Sequence, residues 1–86
     1  MSREGMVDMF AYLMKLDNQE SKSKFELLYQ NYRASMFNIA NSILRDNALA
    51  EDAVHQAFIK VMRNLHKIDD VFSNKTRSFI VIIVRN

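Results

Sequence analysis

The sequence predicts an all-α fold, a compact bundle of three main helices with a short helix ahead of them. Two observations lead there. The 86 residues contain no proline and a single glycine, Gly5, so little interrupts a helix and turns must come from Asp, Asn and Ser. Apolar residues also recur at helical spacing through most of the chain, in a composition rich in Met, Leu, Ala, Lys and Glu. A chain this short forms one domain with a marginal core.

The first helix is predicted over Met6–Leu16, where Val7, Phe10, Leu13 and Met14 share a face. Met6, Met9 and Met14 fit core packing better than an adaptable contact surface. The polar run Asp17–Ser23 ends the helix. Ser23 and Glu26 then form an S-x-x-E capping pattern that predicts the start of a second helix. Its stripe is Phe25, Leu28, Tyr29, Tyr32, Met36, Ile39, Ala40 and Ile43, widened by Leu27 and Phe37. Tyr29 and Tyr32 are expected as packed rings with hydroxyls at the rim. Arg45, Asp46 and Asn47 break the pattern, and Asp46 and Asn47 are both suited to cap the next helix.

That helix, around Ala50–Leu65, places Leu49, Ala53, Val54, Ala57, Phe58, Val61, Met62 and Leu65 on one face. Glu51, Asp52, His55, Gln56, Lys60 and Arg63 take the other, with Ile59 expected to be exposed among them. His66 and Lys67 suit a helix C-terminus near Ile68. In the connection Asp69–Lys75, Val71 and Phe72 either fold back onto the core or wait for a ligand. The last segment, Thr76–Asn86, holds a β-branched run, IVIIV, that alone would suit a strand. With no second strand to pair with, it is predicted as a helix capped by Ser73 or Asn74. It stops at Arg85–Asn86 with no capping glycine, which reads as a truncation. The expected core comprises Phe25, Leu28, Tyr32, Ile39, Ile43, Val54, Phe58, Val61 and Phe79.

Composition excludes several function classes. There is no cysteine for a disulfide or thiolate metal site, in keeping with a reducing cytoplasm. No apolar run is long enough to span a bilayer, so no membrane partner is expected. No enzyme is expected either. Asp52 and His55 are three apart on one helix, but no third group or glycine-rich loop completes a catalytic set. His66 lies about three helical turns from His55, too far to share a metal, and no cofactor is expected. The net charge of +2 does not announce nucleic-acid binding. After Asp70, however, the chain carries Lys75, Arg77 and Arg85 and no acid. On periodicity alone, a helical protein–protein interaction module without nucleic-acid binding fits as well as any other reading.

Residues Leu44–Leu65, LRDNALAEDAVHQAFIKVMRNL, resemble the second conserved region of bacterial sigma factors, most of all the extracytoplasmic-function group. That group's usual pattern is close to D-x-x-x-A-E-D-x-V-Q-E-x-F, and Asp46, Ala50, Glu51, Asp52, Val54 and Phe58 stand in register. His55 replaces the usual Gln and Gln56 the usual Glu. Farther on, TRSFIVIIVRN is similar to P-R-A-W-L-x-x-I-A-R-N through Arg77, Ile83, Arg85 and Asn86, with Phe79 at the Trp position. Thr76 replaces the Pro and Val84 the Ala. Phe25–Asp46, FELLYQNYRASMFNIANSILRD, resembles the helix before the acidic motif. The resemblance covers about residues 24–86, leaving 1–23 as a first helix and linker within one domain, 1–86.

It implies docking of the acidic helix on the clamp helices of the largest β-type subunit of RNA polymerase core, through Asp52, His55, Gln56, Ile59 and Arg63. It also implies recognition of the single-stranded −10 promoter element in transcription initiation by the loop after that helix and the start of the last helix. Phe72, Ser73 and Asn74 would meet a flipped base, while Lys75, Arg77, Arg85 and Asn86 would lie along the strand. An anti-sigma factor is a further expected partner. A chain cut within its last helix is expected to self-associate.

Overall fold

A computed structural model describes residues 12–16 and 18–85 of the chain. Three α-helices, α1 (Gln19–Leu44), α2 (Asn47–Arg63) and α3 (Asn74–Arg85), pack against one another, and no strand occurs among the described residues. The all-α bundle expected from the sequence is the observed architecture. A 3-10 turn, Leu65–Lys67, comes after α2.

Residues 1–11, and with them most of the predicted first helix including Val7 and Phe10, lie outside the described residues, as do Asp17 and Asn86. Residues 12–16 of the predicted segment are described. Lys15 and Leu16 donate backbone hydrogen bonds to Tyr12 and Leu13, the i→i+3 closure common at a helix C-terminus. Leu13 is half-buried, but Met14, predicted on the packed face, is 84 % exposed. The residue that enters the core here is Tyr12.

α1 begins a turn before the S-x-x-E pattern. Asn18, not Ser23, is its cap, and the Asn18 side-chain oxygen accepts from the Ser21 N–H at 2.8 Å. The polar run therefore joins the helix because an earlier cap is available, and Ser23 sits exposed inside it. Phe25, Leu28, Tyr29, Tyr32, Met36 and Ala40 form the buried stripe. The helix ends at Arg45, whose left-handed backbone (φ 54°, ψ 38°) lets its N–H return to the Asn41 carbonyl at 2.8 Å. Asp46 then caps α2, accepting from the Leu49 N–H at 3.0 Å. Two residues thus reverse the chain.

α2 buries Ala50, Val54, Ala57, Phe58 and Val61 against α1 and α3. The α-helix stops at Arg63, earlier than the predicted end near Ile68. Asn64 donates its side-chain amide to the Lys60 carbonyl at 2.8 Å, closing the last turn. Leu65, Ile68 and Val71 then pin the connection to the core. Two long-range bonds fasten the same connection. Lys24 Nζ donates to the Ile68 carbonyl at 2.8 Å, and the Tyr32 hydroxyl to the Val71 carbonyl at 2.6 Å. Tyr32 therefore keeps its hydroxyl inside the fold, not at the rim as expected.

α3 is a helix despite its β-branched run, with Thr76, Ile80 and Val84 buried at i, i+4, i+8. Phe79 and Ile39, placed in the predicted core, are half-buried against its edge. Ile43 is not in the core: it is 56 % exposed, with Leu49 at 55 %. Both lie at the α1–α2 turn, between Ala40 and Ala50, where the covered parts of the two stripes end. Ile59, expected to be exposed, is partly buried against the cluster.

Candidate nucleic-acid and polymerase interface

Two surfaces survive the packing. The first is the face of α2 turned away from α1 and α3. Asp52, His55, Gln56 and Arg63 are exposed on it, with half-buried Ile59 among them. Offsets of three, four, seven and eleven residues from Asp52 keep these side chains on one stripe, about 16 Å long at the rise of an α-helix. Acid lies at the N-terminal end and base at the other, the order favoured by the helix dipole. His55 is tied inward, its Nδ1 2.5 Å from the hydroxyl of Tyr12. The Asp52–His55 pair is thus a surface feature, with the imidazole oriented by a tyrosine.

The second surface is the connection between α2 and α3. It folds around Asp70. One carboxylate oxygen of Asp70 accepts from the Phe72 N–H at 2.9 Å, the geometry of an Asx-turn. The Asp70 carbonyl accepts from the Ser73 hydroxyl at 3.0 Å and the Thr76 hydroxyl at 2.6 Å. Ser73 in turn accepts from the Thr76 N–H at 3.1 Å, capping α3. Val71 is drawn into the core while Phe72, its neighbour, is left 59 % exposed. Of the two, Val71 folds back onto the core and Phe72 does not.

This turn walls an open cleft of about 680 Å³. Ile68 and Phe79 supply its apolar surface, Thr76 lies at the base of α3, and His66, Lys67, Asp69, Asp70, Ser73 and Lys75 complete the lining. Of the residues expected from the sequence as DNA contacts, Ser73 and Lys75 line the cleft. The Ser73 hydroxyl is occupied by the turn. Phe72, Asn74, Arg77 and Arg85 are exposed but not among the lining residues, and Asn86 lies outside the described residues. His66, Lys67, Thr76 and Phe79 are not among the contacts expected from the sequence. The 3-10 turn, which no sequence pattern marks, carries His66 and Lys67 from the end of α2 to the cleft; for Phe79 the signal is the i+3 offset from Thr76.

The lining sets the half-buried ring of Phe79 beside the charged groups of Lys67, Lys75, Asp69 and Asp70. No group of His, Cys, Asp or Glu among the described residues is placed to hold a metal ion. No described helix is long and apolar enough to cross a membrane. No curated protein and no solved structure matches the chain. Residues 28–86, which include the stripe and the cleft, match the family described as Sigma-70 region 2. The chain therefore belongs to the sigma-70 region 2 family, the domain of sigma factors that acts with RNA polymerase and promoter DNA in transcription initiation.

Proposed function

We propose that the chain docks on the clamp helices of RNA polymerase core through the α2 stripe and reads the non-template strand of the −10 element at the α2–α3 connection. The observation that carries this reading is the uncovered stripe from Asp52 to Arg63, which leads through the 3-10 turn to the cleft. Polymerase held on the stripe and single-stranded DNA held at the cleft would then be bound by contiguous parts of one surface.

Within the stripe, Asp52 supplies charge and half-buried Ile59 an apolar contact with little side-chain freedom left to lose. His55 and Gln56 add polar contacts. At the connection, Lys67, Lys75 and Arg77 draw in phosphate, which fixes register without reading sequence. Phe72 offers an exposed ring for stacking. A base turned into the cleft would meet Phe79 and the carboxylate of Asp69, an acceptor suited to an exocyclic amine. The whole chain acts here as one domain.

Titration of core polymerase into labelled protein tests the docking half. The parent should bind saturably and Asp52→Lys should not, with the helical signal unchanged. Equal binding by both proteins would remove the α2 stripe from the interface.

A further inference from the structure

Tyr12 and His55 are 43 positions apart, and their pairing is a contact by which the N-terminal segment reaches the α2 stripe. The Tyr12 ring is 4 % exposed. It packs at centroid distances of 5.3 Å from Phe25, 6.1 Å from Tyr29 and 5.9 Å from Phe58, so three rings on two helices fix its position. Its hydroxyl stands at the edge of this cluster, 2.5 Å from His55 Nδ1 and 3.4 Å from the His55 carbonyl. The longer distance makes the carbonyl the poorer acceptor. A phenol is a better proton donor than a neutral imidazole N–H, which favours a short bond running from the tyrosine to the ring nitrogen. An imidazole that accepts at Nδ1 while neutral carries its proton on Nε2.

We propose that Tyr12 is a positioning residue for His55: it holds the imidazole as the Nε2–H tautomer and presents one fixed N–H donor from the α2 stripe to a hydrogen-bond acceptor on the polymerase. The proposal rests on the docking function proposed for the stripe and gives the N-terminal segment a part in it. An unheld histidine would populate both tautomers and several ring orientations, and ordering it would cost affinity. Tyr12 removes that cost in advance, because its own ring is already immobilised in the core. His55 itself is exposed, so the held ring lies where a partner can reach it.

The test uses the full chain and two readouts. Imidazole ¹⁵N spectra above the imidazole titration should show His55 of the parent with an accepting Nδ1 and a protonated Nε2. In Tyr12→Phe, which keeps the ring and loses the hydroxyl, the two nitrogens should move toward tautomer-averaged shifts. Binding to core polymerase should weaken about two- to tenfold in Tyr12→Phe, the range of one hydrogen bond. The double variant Tyr12→Phe/His55→Ala should bind no more weakly than His55→Ala alone. A parent spectrum with the proton on Nδ1, or a Tyr12→Phe effect that adds in full to His55→Ala, would overturn the proposal. The Asp52→Lys control separates the layers. Unchanged binding there would overturn the docking role of His55, while the spectra would still decide whether Tyr12 sets the ring.

Discussion

Arg45 shows what a single residue does in this chain. It adopts φ 54° with a side chain that the left-handed region disfavours, at the point where α1 gives way to α2. Glycine would take that backbone without the Cβ clash, which costs roughly 1–2 kcal/mol, though it loses part of the gain to unfolded-state entropy. Arg45→Gly should therefore stabilise the protein by up to about 1 kcal/mol. Asp46→Ala should cost about 0.5–2 kcal/mol, because the Leu49 N–H loses its acceptor. Thermal melts of the two variants should move in opposite directions. Deeper in the fold, Phe58 is 1 % exposed and meets Tyr29 at 4.8 Å and Phe25 at 5.7 Å between ring centroids. Phe58→Ala should cost about 3–5 kcal/mol, enough to leave so small a domain largely unfolded in a denaturant titration. The Asp46 cap is legible in the sequence because it sits beside a break in periodicity. Asn18 is not, because Ser23 and Glu26 offer a competing pattern five residues later. The Tyr12–His55 bond is invisible for a different reason: sequence spacing carries no signal for partners on separate elements.

Periodicity identifies which face of a helix is apolar, but not how far the neighbouring helix covers it. That is why the predicted stripe of α1 holds from Phe25 to Ala40 and fails at Ile43. The same limit applies to Leu49 in α2, and in reverse to Ile59, whose aliphatic body reaches the cluster from the edge of the polar face. For α3, the absence of a pairing strand outweighs the β-branched run. Its packing is narrower than the run suggests, with Ile80 buried and Ile82 57 % exposed. Of the two surfaces, the α2 stripe is legible as a row of polar residues at helical spacing. The cleft is not, because the 3-10 turn and the bonds to Asp70 that shape it have no periodic signature. Tyr32→Phe tests how far that connection depends on α1. Leaving the Val71 carbonyl unpaired in a buried site should cost about 1–3 kcal/mol and loosen the loop, read as faster amide exchange across Asp69–Ser73.

Taken whole, the molecule divides its unpaired surface by chemistry. Ile43, Leu44, Leu49 and Ile82 leave apolar side chains in solvent. Concentration-dependent association is the expected consequence, to be read by sedimentation; a strict monomer at high concentration would contradict it. The basic residues near the α2–α3 connection stand beside Asp69 and Asp70, so strand binding should be modest and should fall steeply with salt. Phe72 gives the sharpest probe of the proposed continuous surface for polymerase and single-stranded promoter DNA. Its ring is 59 % exposed, so Phe72→Ala should leave the melting temperature nearly unchanged. The decisive measurement is the affinity of the core polymerase complex for a single-stranded −10 oligonucleotide, with the parent chain and with Phe72→Ala. Loss of one base–aromatic stack is worth roughly 1–3 kcal/mol, about a five- to 150-fold weakening. That loss is expected at an unaltered melting temperature; equal affinity of the two folded proteins for the oligonucleotide would contradict a shared surface.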